Sequence, residues 1–308
     1  MGIVHGVAVI EVSDLKKSYG DVHAVRGVSF TVEEGECVAV LGPNGAGKTT
    51  TVEILEGYRI RDSGTVSVLG MDPAHGGTHL RQRIGIVLQE CGVEPYLTVT
   101  EVLTLHAGYY HHPLAVADVI HIVGLDEKAR ARVKSLSGGQ KRRLDVALGL
   151  IPDPELLFLD EPTTGFDPMA RRQAWEMINN LSRLGKTVLL TTHYMDEAQA
   201  LADRVIVIAA GQIVAEGPPE SIGGRADAAA QIRFVLPENV TIEQLPIAAE
   251  DAGGGAVLVA TSTPTAALHT LTSWARDHGG ELAQLSVTRP SLDDVYVALT
   301  SRSDGDPT

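Results

Sequence analysis

Lys48, Thr49 and Thr50, preceded by Leu41-Gly42-Pro43-Asn44-Gly45-Ala46-Gly47, form a set of residues suited to holding a polyphosphate. Gly42, Gly45 and Gly47 permit backbone conformations closed to residues with side chains, so successive N–H groups can turn toward one anion. A helix starting at the lysine adds a favourable dipole there. Lys48 is placed to reach the β- and γ-phosphates of a nucleotide, and Thr49 to give its hydroxyl to Mg²⁺. Pro43, Asn44, Ala46 and Thr50 complete the wall of the loop and the first helical turn. The flanks fit, because the apolar run Cys37–Leu41 reads as a buried strand and residues 48–56 as the helix.

Other reactive side chains fall at predicted strand ends. Glu155-Leu156-Leu157-Phe158-Leu159-Asp160 is apolar until it ends in acid, with Glu161 next. Such a run suits a central parallel strand that delivers Asp160 to the carboxyl edge of the sheet, beside the phosphate loop. Asp160 then serves Mg²⁺ and Glu161 acts as general base on water. Neighbouring side chains on extended backbone point apart, which predicts the separation of the two duties. Thr187–Thr192 is a further strand leading to His193, and 84–88 a buried strand ending at Gln89, placed to bind Mg²⁺ or orient a water. Ser135-Leu136-Ser137-Gly138-Gly139-Gln140 precedes a helix whose apolar residues recur at three and four. Ser137 is its expected N-cap, and Gly138 and Gly139 expose first-turn N–H groups, which makes a second anion site.

Leu136-Ser137-Gly138-Gly139-Gln140 resembles the signature of ABC-type ATPases, and the phosphate loop, acid pair and His193 follow that family's order. The resemblance covers about residues 7–222. It implies an α/β fold: a P-loop NTPase core with an antiparallel β subdomain and a helical subdomain at about 90–150. It also implies ATP and Mg²⁺ as ligands, and contact of His193 with the γ-phosphate and the catalytic water. Family members close as head-to-tail dimers, in which the phosphate loop of one subunit faces the signature of the other. The implied partners are therefore a second copy and separate membrane permease subunits, with Ser137, Gly138, Gly139 and Gln140 acting on the partner's nucleotide. Pro162-Thr163-Thr164-Gly165-Phe166-Asp167-Pro168 is similar to the dimer-facing aspartate loop, with Phe166 in place of the commoner leucine. Tyr19 is a candidate for stacking on adenine, and a half-buried strand-end tyrosine remains the alternative.

The supporting elements follow in order. A strand at 7–12 leads into a polar turn carrying Tyr19-Gly20, and a second strand at 28–32 leads to the phosphate-loop strand. His75–His79 reads as a surface loop, 100–110 and 114–123 as helices, 168–184 as a helix, and 205–208 and 212–216 as closing strands. Gly223-Gly224 marks a linker, so the chain divides at 222/223 into the nucleotide-binding domain and a small α+β domain. In that second piece strands are expected at 231–236, 256–260 and 282–287, alternating with helices near 241–249, 264–278 and 291–300. Its ending, Ser286 to Thr300, and the runs Glu56-Gly57-Tyr58-Arg59 and Arg61-Asp62-Ser63-Gly64 are similar to bacterial daunorubicin-exporter ATPases.

With 308 residues, 44% of them hydrophobic, the chain can bury a core without disulfides. Cys37 and Cys91 make neither a disulfide framework nor a metal cluster, and a reducing cytoplasm is expected. The net charge of −14 argues against a phosphate-tracking surface, so nucleic acid is not an expected partner. Met1-Gly2-Ile3-Val4-His5-Gly6 lacks a basic n-region, and no run approaches about 18 uninterrupted apolar residues, so any membrane spans are expected in another chain. Export is the expected direction, with an importer ATPase as the alternative and a soluble ABC protein acting on ribosomes or DNA as a remoter one.

Overall fold

The computed structural model describes residues 7–87, 92–224, 228–236, 240–278 and 280–303. They fall into two compact units, the first running to Pro219 and also taking in residues 300–303, the second spanning Glu220–Leu299.

The first unit begins with two long strands, β1 (Ala8–Tyr19) and β2 (Val22–Glu33), paired antiparallel. The strand expected to stop near residue 12 continues to Tyr19. A bulge, with Asp14 at φ 48°, shifts the register between Val12 and Leu15 and lets polar residues stay on the ladder. The turn falls at Gly20-Asp21 instead. Next come β3 (Cys37–Leu41), fully buried, α1 (Lys48–Leu55) and β4 (Ser63–Val68). The histidine-containing stretch expected to be a loop lies inside α2 (Pro73–Arg81). Asp72 caps that helix by accepting from the Ala74 N–H, Pro73 occupies its first turn, and Gly77 at φ 50° takes up the kink.

β5 (Ile84–Val87) is followed by three helices, α3 (Val99–Ala107), α4 (Val116–Ile122) and α5 (Gly138–Leu150). Then β6 (Leu156–Asp160) and α6 (Pro168–Arg183) precede β7 (Thr187–Thr192), α7 (Met195–Leu201), β8 (Arg204–Ala209) and β9 (Gln212–Gly217). A three-stranded antiparallel sheet has the order β2-β1-β4, and a six-stranded sheet the order β5-β6-β7-β3-β8-β9. In the larger sheet β5, β6, β7, β3 and β8 run parallel and β9 closes antiparallel. β3 therefore lies between β7 and β8, with β6 beyond β7, so the loops after β3, β6 and β7 share one carboxyl edge. Ile10, Val32, Val38, Ile54, Leu55 and Phe158 belong to one buried cluster that joins the two sheets to α1. No helix among the described residues is long and apolar enough to cross a membrane.

The second unit contains β10 (Ala230–Val235), β11 (Glu250–Gly253), β12 (Ala256–Thr261), α8 (Pro264–Asp277), β13 (Ala283–Thr288) and α9 (Leu292–Ser303), with sheet order β11-β12-β10-β13. Ile232, Phe234, Val257, Val259 and Leu271 make its core. The helix expected at 241–249 is a single short turn, Ile242–Gln244, because Leu245, directly before Pro246, is extended and ends it. Glu250–Gly253, assigned no element in the sequence, adds to the edge of the sheet beside β12.

Candidate nucleotide-hydrolysis site

The loop from Gly42 to Gly47 leaves β3 and enters α1 with Gly47 at φ 102°. A Cβ on Gly47 would lie 2.3 Å from the Ala24 carbonyl oxygen, and one on Gly42 would lie 2.2 Å from that of Ile208, so neither position admits a side chain. Pro43, Asn44, Gly45 and Thr49 are exposed at the mouth of the loop, Thr50 is half-buried, and Ala46 is buried. Lys48 is only 6% exposed and curls over the loop, its Nζ donating to the carbonyls of Gly42 (2.7 Å) and Pro43 (3.1 Å). Burial lowers its pKa from the ordinary ammonium value, and the charges of Glu161 and Asp160 oppose that shift. The lysine is thus held in the field of both carboxylates.

Asp160 ends β6, and its Oδ1 accepts from the Thr191 hydroxyl at 2.5 Å. Glu161 follows at φ 44°, and its N–H donates to Thr191 carbonyl and hydroxyl oxygens at 3.1 and 3.2 Å. The second acid itself is therefore left-handed, where extended backbone was expected, and the sharp turn aims Glu161 toward β7. There its Oε1 lies 3.1 Å from His193 Nδ1, while its Oε2 accepts from the Thr164 hydroxyl at 3.0 Å. The exposed ring of His193 also stacks at a tilt on Tyr194, with centroids 4.1 Å apart. The loop lysine, both acids and the histidine thus share one strand-end edge. Gln89 lies outside the described residues, as does Cys91. Burial pushes the Cys37 thiol up to about 12, which leaves it inert.

Ser137 caps α5 in a reciprocal box, accepting from the Gln140 N–H at 3.3 Å while its own N–H donates to Gln140 Oε1 at 3.1 Å. Ser137, Gly138, Gly139, Gln140, Arg143 and Asp167 line a groove of about 410 Å³. Gly138 and Glu161 also border a neighbouring cavity of about 540 Å³. Asp167 caps α6, its Oδ1 accepting from the N–H groups of Met169 and Ala170 at 2.9 Å each. Tyr19 is exposed at the end of β1, with Lys17 Nζ and Arg59 Cζ each 5.5 Å from its ring centre. The exposed ring is thus contacted by two cations.

Two supporting groups have no motif in the sequence. Thr191 anchors both acids, as described above. Arg142, 6% exposed on α5, donates to the carbonyls of Asp160 (2.9 Å) and Pro162 (3.0 Å) and so ties the signature helix to the acid loop. Thr191 is one of three threonines in the buried strand β7, and Arg142 sits among the polar residues 140–143, so residue type alone singles out neither.

A glycine cradle for phosphates, a buried lysine, an exposed threonine hydroxyl and a strand-end aspartate fit a nucleoside triphosphate with Mg²⁺, held through Thr49 and Asp160. With the sheet order and the two helix-terminal anion sites, they define a P-loop ATPase of the cassette type. The chain matches the ABC transporter family over residues 25–164, and the C-terminal domain of ABC transporter domain-containing proteins over residues 230–291. Nod factor export ATP-binding protein I of Burkholderia orbicola (strain AU 1054) is 45% identical over 221 residues, 70% of this chain and 73% of the relative. The protein of the same name from Ralstonia nicotianae is 36% identical over 302 residues, covering 96% of this chain and 94% of the other. Among solved structures, the dimeric structure of MJ0796, a bacterial ABC transporter cassette, aligns with TM-score 0.59 and 25% identity over 68% of this chain and 98% of that one. The chain belongs to the ATP-binding subunits of ABC transporters.

Proposed function

We propose that this chain hydrolyses ATP as one of two identical subunits that drive separate permease chains from the cytoplasmic face of the membrane, in the direction of export. Glu161, held between His193 and Thr164, is the observation that carries the reading. A carboxylate fixed on both oxygens beside a buried lysine is positioned to take a proton from an attacking water. His193 orients that water and donates to the terminal phosphate. Lys48 and the loop N–H groups offset the charge that develops as the phosphoryl group transfers. Bound Mg²⁺ supplies Lewis-acid neutralisation of the phosphate oxygens.

The groove at Ser137 supports a second copy as partner, since Ser137 and Gly138 are exposed there and cover a nucleotide only if another chain presents one. ATP then favours the closed pair because both faces contact it there, and loss of the γ-phosphate removes that differential affinity. The export names of the relatives and the likeness of the tail to drug-exporter ATPases support export of a drug-, antibiotic- or lipid-like cargo. The test is Glu161→Gln. With MgATP it should form a stable dimer by sedimentation, with turnover reduced by roughly 10²–10⁴. A strictly monomeric variant at high concentration, or one that hydrolyses ATP at the parent rate, overturns the proposal.

A further inference from the structure

Glu197, on α7, is fully buried at 0% exposure, and its Oε1 accepts two hydrogen bonds, from the Thr163 hydroxyl at 2.6 Å and from Trp175 Nε1 at 3.2 Å. Its Oε2 has no hydrogen-bond partner among the described residues. Burying a carboxylate in this way is costly, and its two donors are neutral. The residues it joins explain why it is there. Thr163, also 0% exposed, is the neighbour of Thr164, which holds one oxygen of Glu161. Glu197 itself sits one helical turn beyond His193, which holds the other oxygen. Trp175 fixes the arrangement from α6, which is also tied to α7 by Arg171 donating to Asp196 at 3.0 Å.

We infer that Glu197 is a positioning residue for hydrolysis: through Thr163 it locks the loop after the general base to the helix after the histidine, and so sets the separation of Glu161 and His193. A carboxylate oxygen takes two donors at once more strongly than an amide oxygen, and that suits a clamp made at one atom. The inference rests on Glu161 being the general base.

The experiment uses the full chain in the assembly in which it turns over ATP, with kcat, KM for ATP and thermal midpoint measured together. Thr163→Val and Glu197→Ala should each lower kcat by about 10- to 100-fold, the effect expected of a small misplacement, with KM held within about twofold. The double variant should be no worse than Glu197→Ala within about threefold. Glu197→Gln, which keeps an acceptor at Oε1, should recover much of the loss. In a Glu161→Gln background, Thr163→Val should change the residual rate by less than about twofold, because there is no base left to position. If Glu197→Ala fails to fold, Thr163→Val in the two backgrounds decides the matter. A parent-like kcat in Thr163→Val, a change confined to KM, or an equal loss in the presence and absence of Glu161 overturns the inference. If Glu161→Gln itself keeps parent turnover, the general-base reading falls and takes this inference with it; if only Glu161→Gln loses turnover, the inference alone falls.

Discussion

The strand-end edge and the signature groove are both built to hold anions, yet their side chains are used in opposite ways. On the edge, charged groups act on one another: Lys48 lies in the field of Asp160 and Glu161, and Glu161 is held by His193 and Thr164. In the groove the polar side chains are spent on local structure. Ser137 and Gln140 cap their own helix, Asp167 caps the next, and Arg143 donates to the carbonyls of Val123 and Gly124 at 3.3 Å. The groove is thus a surface whose polar side chains are already engaged, and the edge a cluster of charges that face one another. Under the proposed reading, the edge performs chemistry and the groove admits it only when a second copy closes.

That contrast predicts separable defects. Lys48→Ala should weaken MgATP binding by the isolated chain by about 10²-fold, as expected when one partner of a buried charge contact is removed. Ser137→Arg should leave that affinity within about twofold and cut turnover by about 10²–10³, the scale of a lost transition-state donor. Calorimetric titration and steady-state hydrolysis separate the two, and equal losses of binding in both variants would erase the distinction.

Glu56 tests the charge crowding on the edge from behind the phosphate loop. Burial, with Asp160 and Glu53 adding to it, raises its carboxyl to about 8. The unfolded chain ionises this group near its ordinary value of 4.5, so the folded state carries no penalty below that pH and a growing one up to about 8. Glu56→Gln should therefore stabilise the protein by a few kcal/mol at pH 8, at about 1.4 kcal/mol per unit, and by almost nothing near pH 4.5. Denaturant midpoints at the two pH values check the sign. A smaller effect is expected of Arg142→Met, which leaves the Asp160 and Pro162 carbonyls without their donor and should cost about 1–3 kcal/mol. Its kcat should fall more than its affinity for ATP, since the contact supports the acids and not the loop.

Short-range chemistry was readable along the chain. Gly47 and Lys48 announce the phosphate loop, Ser137 announces its own cap, and the apolar run before Asp160 announces a buried strand, because each depends on residues within a few positions. Errors occurred where a local signal was weak or overruled. The bulge at Asp14 carried β1 past its polar stretch, and Asp72 made a helix of the histidine-containing segment. The paired roles were beyond reach in one dimension. Nothing near Glu161 specifies a left-handed turn, and nothing near Glu197 names Thr163, 34 residues away, as the group it holds.

From sequence alone, the chain determined which residues could bind phosphate, serve a metal or take a proton, and in what order they occur. Tertiary structure decided which of them meet. The strand order β6-β7-β3 brings Asp160, Glu161, His193 and Lys48 to one edge and leaves Ser137 on a separate groove. The physical reason is that capping and loop conformation are settled by nearby backbone hydrogen bonds. The spacing of catalytic groups is settled by sheet pairing and by buried contacts between distant segments.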